Sequence, residues 1–208
     1  MGKLTGPHSG QGTIMKRILL FAALLLVSAA NSFGQGTVVF QNTASPAFNV
    51  TTNNGSGFGP ISGANGYRIG LYASVNTNAT AGSLALVGLA TNVNGLPGKF
   101  NGGGGFVLPN GFPTGTPIVF QLRGWSFAGG TSYEEALSAA ASDPLNIVLG
   151  TSPLGSTVPG GGTVLAGALF GTSPGLLSSG FVIGVPEPSS IALGLLGLGA
   201  IALFRRRK

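Results

Sequence analysis

Between Gln35 and Gly184, short stretches of alternating apolar and polar residues are cut every few positions by Gly, Asn and Pro. This pattern calls for an antiparallel β fold: residues two apart share one face of a strand, and Gly, Asn and Pro supply the reversals. Strands are predicted at Thr37–Gln41, Tyr67–Val75, Leu84–Ala90, Pro117–Phe127, Asn146–Leu149, Thr163–Phe170 and Gly180–Ile183. In the second, Tyr67, Ile69, Leu71 and Ala73 fall on one face, with Arg68 and Tyr72 on the other. In the fourth, Ile118, Phe120 and Leu122 oppose Gln121 and Arg123. Gly150-Thr-Ser-Pro-Leu-Gly155 and Gly171-Thr-Ser-Pro-Gly175 read as similar strand-ending turns. One helix interrupts the strands. Ser132 followed by Glu135 forms a capping box, Tyr133 to Ala141 are mostly good helix formers, and Asp143-Pro144 ends the run. The expected architecture is all-β, an antiparallel β-sandwich of about seven to nine strands with one short helix and, in one version, a jelly-roll-like order.

Composition matters for what it excludes. The chain of 208 residues carries a formal charge of +6, but only 7% of its residues are charged. Between Gln35 and Gly184, Arg68, Lys99 and Arg123 balance Glu134, Glu135 and Asp143, so this stretch is neutral. Nucleic-acid binding needs clustered cations, and none are clustered here. The 13 Phe, three Tyr and one Trp argue for a packed core despite the 38 Gly. With no Cys, disulfides and thiolate chemistry are absent.

The remaining charge flanks two apolar runs. Lys16 and Arg17 precede Ile18–Val27, an apolar run of about ten residues, and small residues follow, the anatomy of a secretory signal peptide over 15–34. Cleavage is expected after Gly34, with Ser32 at −3, or after Ala30, with Ser28 at −3. The alternative is an uncleaved anchor, for which the run is short. Residues 1–14 read as a mis-assigned start, with Met15 the initiator, or as a disordered extension. At the other end, Ile191–Phe204 is wholly apolar, about 14 residues or ~21 Å of helix. Ser189, Ser190 and snorkelling basic side chains extend it to a transmembrane helix over 189–204. Arg205, Arg206, Arg207 and Lys208 are expected to stay cytoplasmic as a membrane stop, leaving 35–184 outside.

The order Pro186-Glu187-Pro188, short apolar helix, Arg-rich end resembles the PEP-CTERM sorting signal of bacteria that make extracellular polysaccharide. The resemblance covers 185–208 and implies recognition by an exosortase-type processing enzyme, with Pro186, Glu187 and Pro188 as the recognition residues. It further implies export by the secretion machinery, transient inner-membrane anchoring, removal of the tail and release to the cell surface or matrix. Gln35-Gly-Thr-Val-Val-Phe40 and Phe120-Gln-Leu-Arg-Gly-Trp125 resemble central domains of such proteins, without assigning an activity.

Catalytic signatures fail on mechanism. Gly171-Thr-Ser-Pro-Gly175 matches a nucleophile elbow, but Pro174 lacks the N–H that the oxyanion hole needs after Ser173. The only histidine, His8, lies in the leader. Gly98-Lys99 lacks the first glycine of a phosphate loop, with Val93 in its place, and Phe100 follows the lysine. Gly102–Gly105 reads as a flexible loop. Glu134 and Glu135 are helix neighbours that do not face each other and suit the helix N-terminus. A glycosidase pair of Glu135 with Asp143 would need them to converge. No metal-ligand cluster and no cofactor motif occurs. Asn49, Asn54 and Asn78 each open an Asn-x-Ser/Thr triplet, a match that an Asn- and Thr-rich chain makes by chance. Tyr72 and Trp125 read as packing residues, or alternatively as an aromatic platform for a sugar ring. The expectation is a non-enzymatic surface or matrix protein associated with extracellular polysaccharide. A carbohydrate-binding module around Trp125 is the alternative, and a polysaccharide hydrolase the second.

Overall fold

In the computed structural model the described residues are 34–53, 58–63 and 66–184. The signal-peptide residues Lys16 and Arg17, the triplet Pro186–Pro188, the helix expected at 189–204 and Arg205–Lys208 lie outside them. Among the described residues no helix is long and apolar enough to cross a membrane.

The chain is mostly β, and the longest strands are those with the cleanest alternation. β4 (Tyr67–Ser74), β5 (Ala85–Asn92) and β8 (Ile118–Ser126) pair antiparallel in the order β8-β4-β5. β6 (Phe100–Asn101) continues the sheet beyond β5. On the other side of β8 lie β9 (Leu149–Thr151) and β10 (Gly155–Thr157), which pair with successive parts of the same strand. β11 (Val182–Gly184) then runs antiparallel to β9 and parallel to β2 (Thr51–Asn53), and β3 (Phe58–Pro60) pairs with β2 at the edge. These make one nine-stranded sheet, while β1 (Thr37–Val38) and β7 (Phe106–Val107) form a separate two-stranded ribbon.

The sheet curls, and its two margins are joined through one residue. Gly98, in the loop from β5 to β6, accepts from the N–H of Val50 beside β2 at 3.0 Å and donates to Ile61 O beside β3 at 2.8 Å. Fully buried Asn42 reinforces the join. Its Nδ2 donates to Phe48 O (3.0 Å) and Gly98 O (2.9 Å), and its Oδ1 accepts from Phe100 N (2.6 Å). Inside the curl both halves contribute to one apolar core: Ile69, Leu71, Phe120 and Leu122 from one side, Val50, Ile61 and Ile183 from the other.

The outer face of β4 and β8 is covered by α1 (Tyr133–Ser142). Ser132 caps it, Oγ accepting from Glu135 N at 3.2 Å. The returning arm of the expected capping box goes elsewhere: Glu135 Oε2 accepts from Thr131 N (2.6 Å) and Thr131 Oγ1 (3.0 Å). Asp143 is the C-cap, as its following proline requires. Tyr72, Leu84, Trp125, Ala136, Ala140 and Ile147 make a second core beneath the helix.

Three local expectations are corrected. Thr163–Phe170 makes only isolated bridges, at Val164, Gly167 and Phe170. Gly161 and Gly162, both at positive φ, reverse the chain there and leave Leu165 exposed. The strand expected at Asn146–Leu149 begins at Leu149, because Ile147 N is held by Asp143 O as the chain leaves the helix. The segment Gly150–Gly155 does not reverse the chain. It steps from β9 to β10 along the edge of β8, with buried Ser152 bridging the gap through Leu122 N→Oγ (3.0 Å) and Ser152 N→Leu122 O (2.8 Å).

Candidate functional site

The alternation of β8 places Arg123 on the outer face, where α1 and Tyr72 enclose it. Its Nη1 pairs with Glu134 Oε1 at 2.8 Å, its Nε donates to Gln121 Oε1 at 3.1 Å and its Nη2 to Ala81 O. The guanidinium carbon stands 4.0 Å from the Tyr72 ring centre and 5.4 Å from that of Tyr133. Tyr72 donates its hydroxyl proton to Glu134 Oε2 (2.7 Å) and accepts from Tyr133 N (3.0 Å). A charge held away from water needs this many partners, and the cluster fastens the first turn of α1 to the sheet. Glu134 thus does more than favour the helix dipole. The pairing with Arg123, from the strand preceding the helix, was not read from the sequence.

Burial, followed by the bond to Glu134, pushes the Tyr72 phenol well above its ordinary value; burial also raises Tyr133. A raised value means the folded state favours the neutral phenol, so this stability is intact below the unfolded value of about 10 and is lost as pH rises through the folded one. Tyr72→Phe is therefore expected to flatten the alkaline fall in unfolding free energy and to cost about 1–2 kcal/mol at neutral pH for its two hydrogen bonds. Urea titrations at pH 7 and above pH 10 check both.

The other acids serve local structure. Thr131 hydrogen bonds, the backbone one first, hold Glu135 below the usual carboxylate range. Asp143 accepts from Asn146 Nδ2 at 2.9 and 3.0 Å. Glu135 in the first turn and Asp143 after the last are about 12 Å apart along the helix axis, on separate partners. Ser173 occupies an exposed turn closed by Leu176 N→Ser173 O (3.1 Å). Lys99 Nζ donates to Ser45 O (2.6 Å) and Phe48 O (3.1 Å), and Gly98 spends both backbone groups on the sheet margins, so neither cradles a phosphate. Among the described residues no three His, Cys, Asp or Glu gather as a metal site. Trp125 is fully buried, its Nε1 donating to Gly130 O (3.0 Å), and Tyr72 is 1% exposed; both are packing residues. Asn49 and Asn78 are exposed, while Asn54 lies outside the described residues.

The feature that joins the fold to the chain's C-terminal signal is β11. Its Ile183 is fully buried over a pair of strand glycines, Gly124 of β8 and Gly150 of β9. A Cβ at Gly150 would overlap Val182 O, and one at Gly124 would overlap the Ile183 side chain. Gly184 closes β11 and lies in a continuous row across the sheet: Phe58, Asn53, Gly184, Leu149, Trp125, Arg68, Thr91 and Asn101. Residues 184–208 match the family described as the PEP-CTERM protein-sorting motif. The chain carries a PEP-CTERM sorting signal. That signal begins at the last residue of β11, without an intervening linker. A PEP-CTERM motif is a recognition signal for exosortase processing and marks an exported protein. No curated protein and no solved structure matches the chain.

Proposed function

We propose that this is a non-enzymatic surface or extracellular-matrix protein, delivered by its PEP-CTERM tail and associated with extracellular polysaccharide. The observation that carries the reading is the junction itself: the motif starts where β11 ends, so removal of residues beyond Pro188 leaves every strand of the sheet intact. In this reading residues 15–34 direct export through the secretion machinery. Residues 189–204 hold the chain transiently in the inner membrane, Arg205–Lys208 keep its end cytoplasmic, and an exosortase-type enzyme reads Pro186, Glu187 and Pro188. The two halves of the curled sheet serve as the facing layers of a β-sandwich. A non-catalytic role is supported by the local partners of Glu134, Glu135 and Asp143, and burial of Trp125 weighs against a sugar platform there.

The test is fractionation of the native host expressing the wild type and a Pro186→Ala, Glu187→Ala, Pro188→Ala variant. The wild type is expected to leave the membrane fraction with its tail removed, and the variant to remain there uncleaved. Equal release of both would refute recognition through the triplet.

A further inference from the structure

The row of residues through Gly184 defines one end of the sheet, and the connections beyond that row share a property. Four exposed apolar side chains stand at that end: Phe58 (76% exposed) at the start of β3, Leu96 (48%) between β5 and β6, Phe127 (48%) just after β8, and Leu145 (77%) between α1 and β9. Beneath Phe127 lies a cation, the guanidinium carbon of Arg68 standing 4.1 Å from the ring centre. Its Nε is buried and has no hydrogen-bond partner among the described residues. Single exposed apolar residues need no explanation, but here three connections at one end, and the strand residue Phe58 in the row itself, each present one.

The chain leaving this end limits what can cover it. From Gly184 to Ser189 there are five peptide steps, at most ~18 Å fully extended. The interfacial layer of one leaflet takes up about 5–8 Å of that reach. Phe127 lies two residues past Trp125 in the row and Leu145 four before Leu149, so both connections extend past the row itself.

We propose that this end of the sheet docks on the outer surface of the bilayer that holds the tail. Phe58, Leu96, Phe127 and Leu145 enter the interfacial layer, and Arg68 lies close to anionic headgroups. The inference rests on the reading that residues 189–204 are membrane-embedded. Docking holds Pro186, Glu187 and Pro188 within the headgroup layer, at the depth where a membrane-embedded processing enzyme can reach them. A second apolar group, including Leu165 (90% exposed), lies toward the opposite end, beyond the pairing of Thr157 with Ile118, and is predicted to face water.

The chain has no cysteine, so single spin labels report one position each. The full chain, reconstituted in phosphatidylethanolamine–phosphatidylglycerol vesicles, is labelled in turn at Phe58→Cys, Leu145→Cys, Leu165→Cys and Leu196→Cys, the last within the tail. Collision with oxygen, relative to a water-soluble nickel complex, is expected to be several-fold higher at positions 58, 145 and 196 than at 165. A lipid-embedded 196 with positions 58 and 145 as wet as 165 overturns docking alone. A wet 196 overturns the embedded tail and docking with it. Dipolar broadening at 145, the sign of a second copy seated on this end, also overturns the proposal.

Discussion

Gly150→Ala is expected to lower the unfolding free energy of the mature protein by about 3–6 kcal/mol, read from urea denaturation. Gly150 sits in β9 opposite Gly124 of β8, and β11 passes so close that a methyl group at 150 would overlap the carbonyl oxygen of Val182. The obstacle is backbone, which cannot turn aside as a side chain can. Relief comes only by moving β11, and that exposes Ile183 and Phe181, two side chains whose burial contributes ~1.5–3 kcal/mol each. The same displacement breaks the pairing of β2 and β3 with β9 through β11, leaving them held at the Gly98 margin. An Ala variant as stable as the wild type would mean that β11 is not seated between β2 and β9.

Asn42→Ala is expected to cost about 3 kcal/mol. The side chain is fully buried and makes three hydrogen bonds, to Phe48 O, Gly98 O and Phe100 N. Phe48 O and Gly98 O keep other donors, from Lys99 Nζ and Val50 N. Phe100 N loses the acceptor that Asn42 supplies, and an unsatisfied buried donor alone costs ~1–3 kcal/mol. Asn42→Asp is the informative companion: it keeps the acceptor for Phe100 N but replaces the Nδ2 donor with a carboxylate oxygen, which can only repel the two carbonyl oxygens it faces. Both variants should lower the urea midpoint, and a neutral result for both would remove Asn42 from the join between the sheet margins.

What was legible in the sequence followed from how strictly a segment alternates. β4 and β8 were read with the correct faces, because Ile69, Leu71, Phe120 and Leu122 recur with period two and enter the core. Ser132, Glu135 and the Asp143-Pro144 stop located the helix. By contrast β2, β3, β6, β7 and β10 span only two or three residues each, and Thr, Asn and Gly in such short pieces carry no periodicity. Their order is set by long-range backbone bonds, many of them to glycine. The segment 163–170 failed in the opposite sense: its apolar residues suggest a strand, yet Val164 is 60% and Leu165 90% exposed.

The candidate sites divide in the same way. The sorting signal was readable because its residue types occur in a fixed order in one continuous stretch. The Arg123–Glu134–Tyr72 cluster was not, because three segments assemble it and only packing brings them together. Asn42 gave no signal among so many other asparagines. The coincidence between the end of β11 and the start of the motif needed both the sheet register and the family match.

The central claim is that the chain is an exported domain whose tail is an address, discarded once used. Intact-mass spectrometry of the mature protein from its native host tests this most directly. The predicted mass lacks the leader before Gln35 and everything after the Pro186-Glu187-Pro188 region, while retaining β11 through Gly184. A mature protein that still carries Ser189–Phe204 and Arg205–Lys208 would contradict the account.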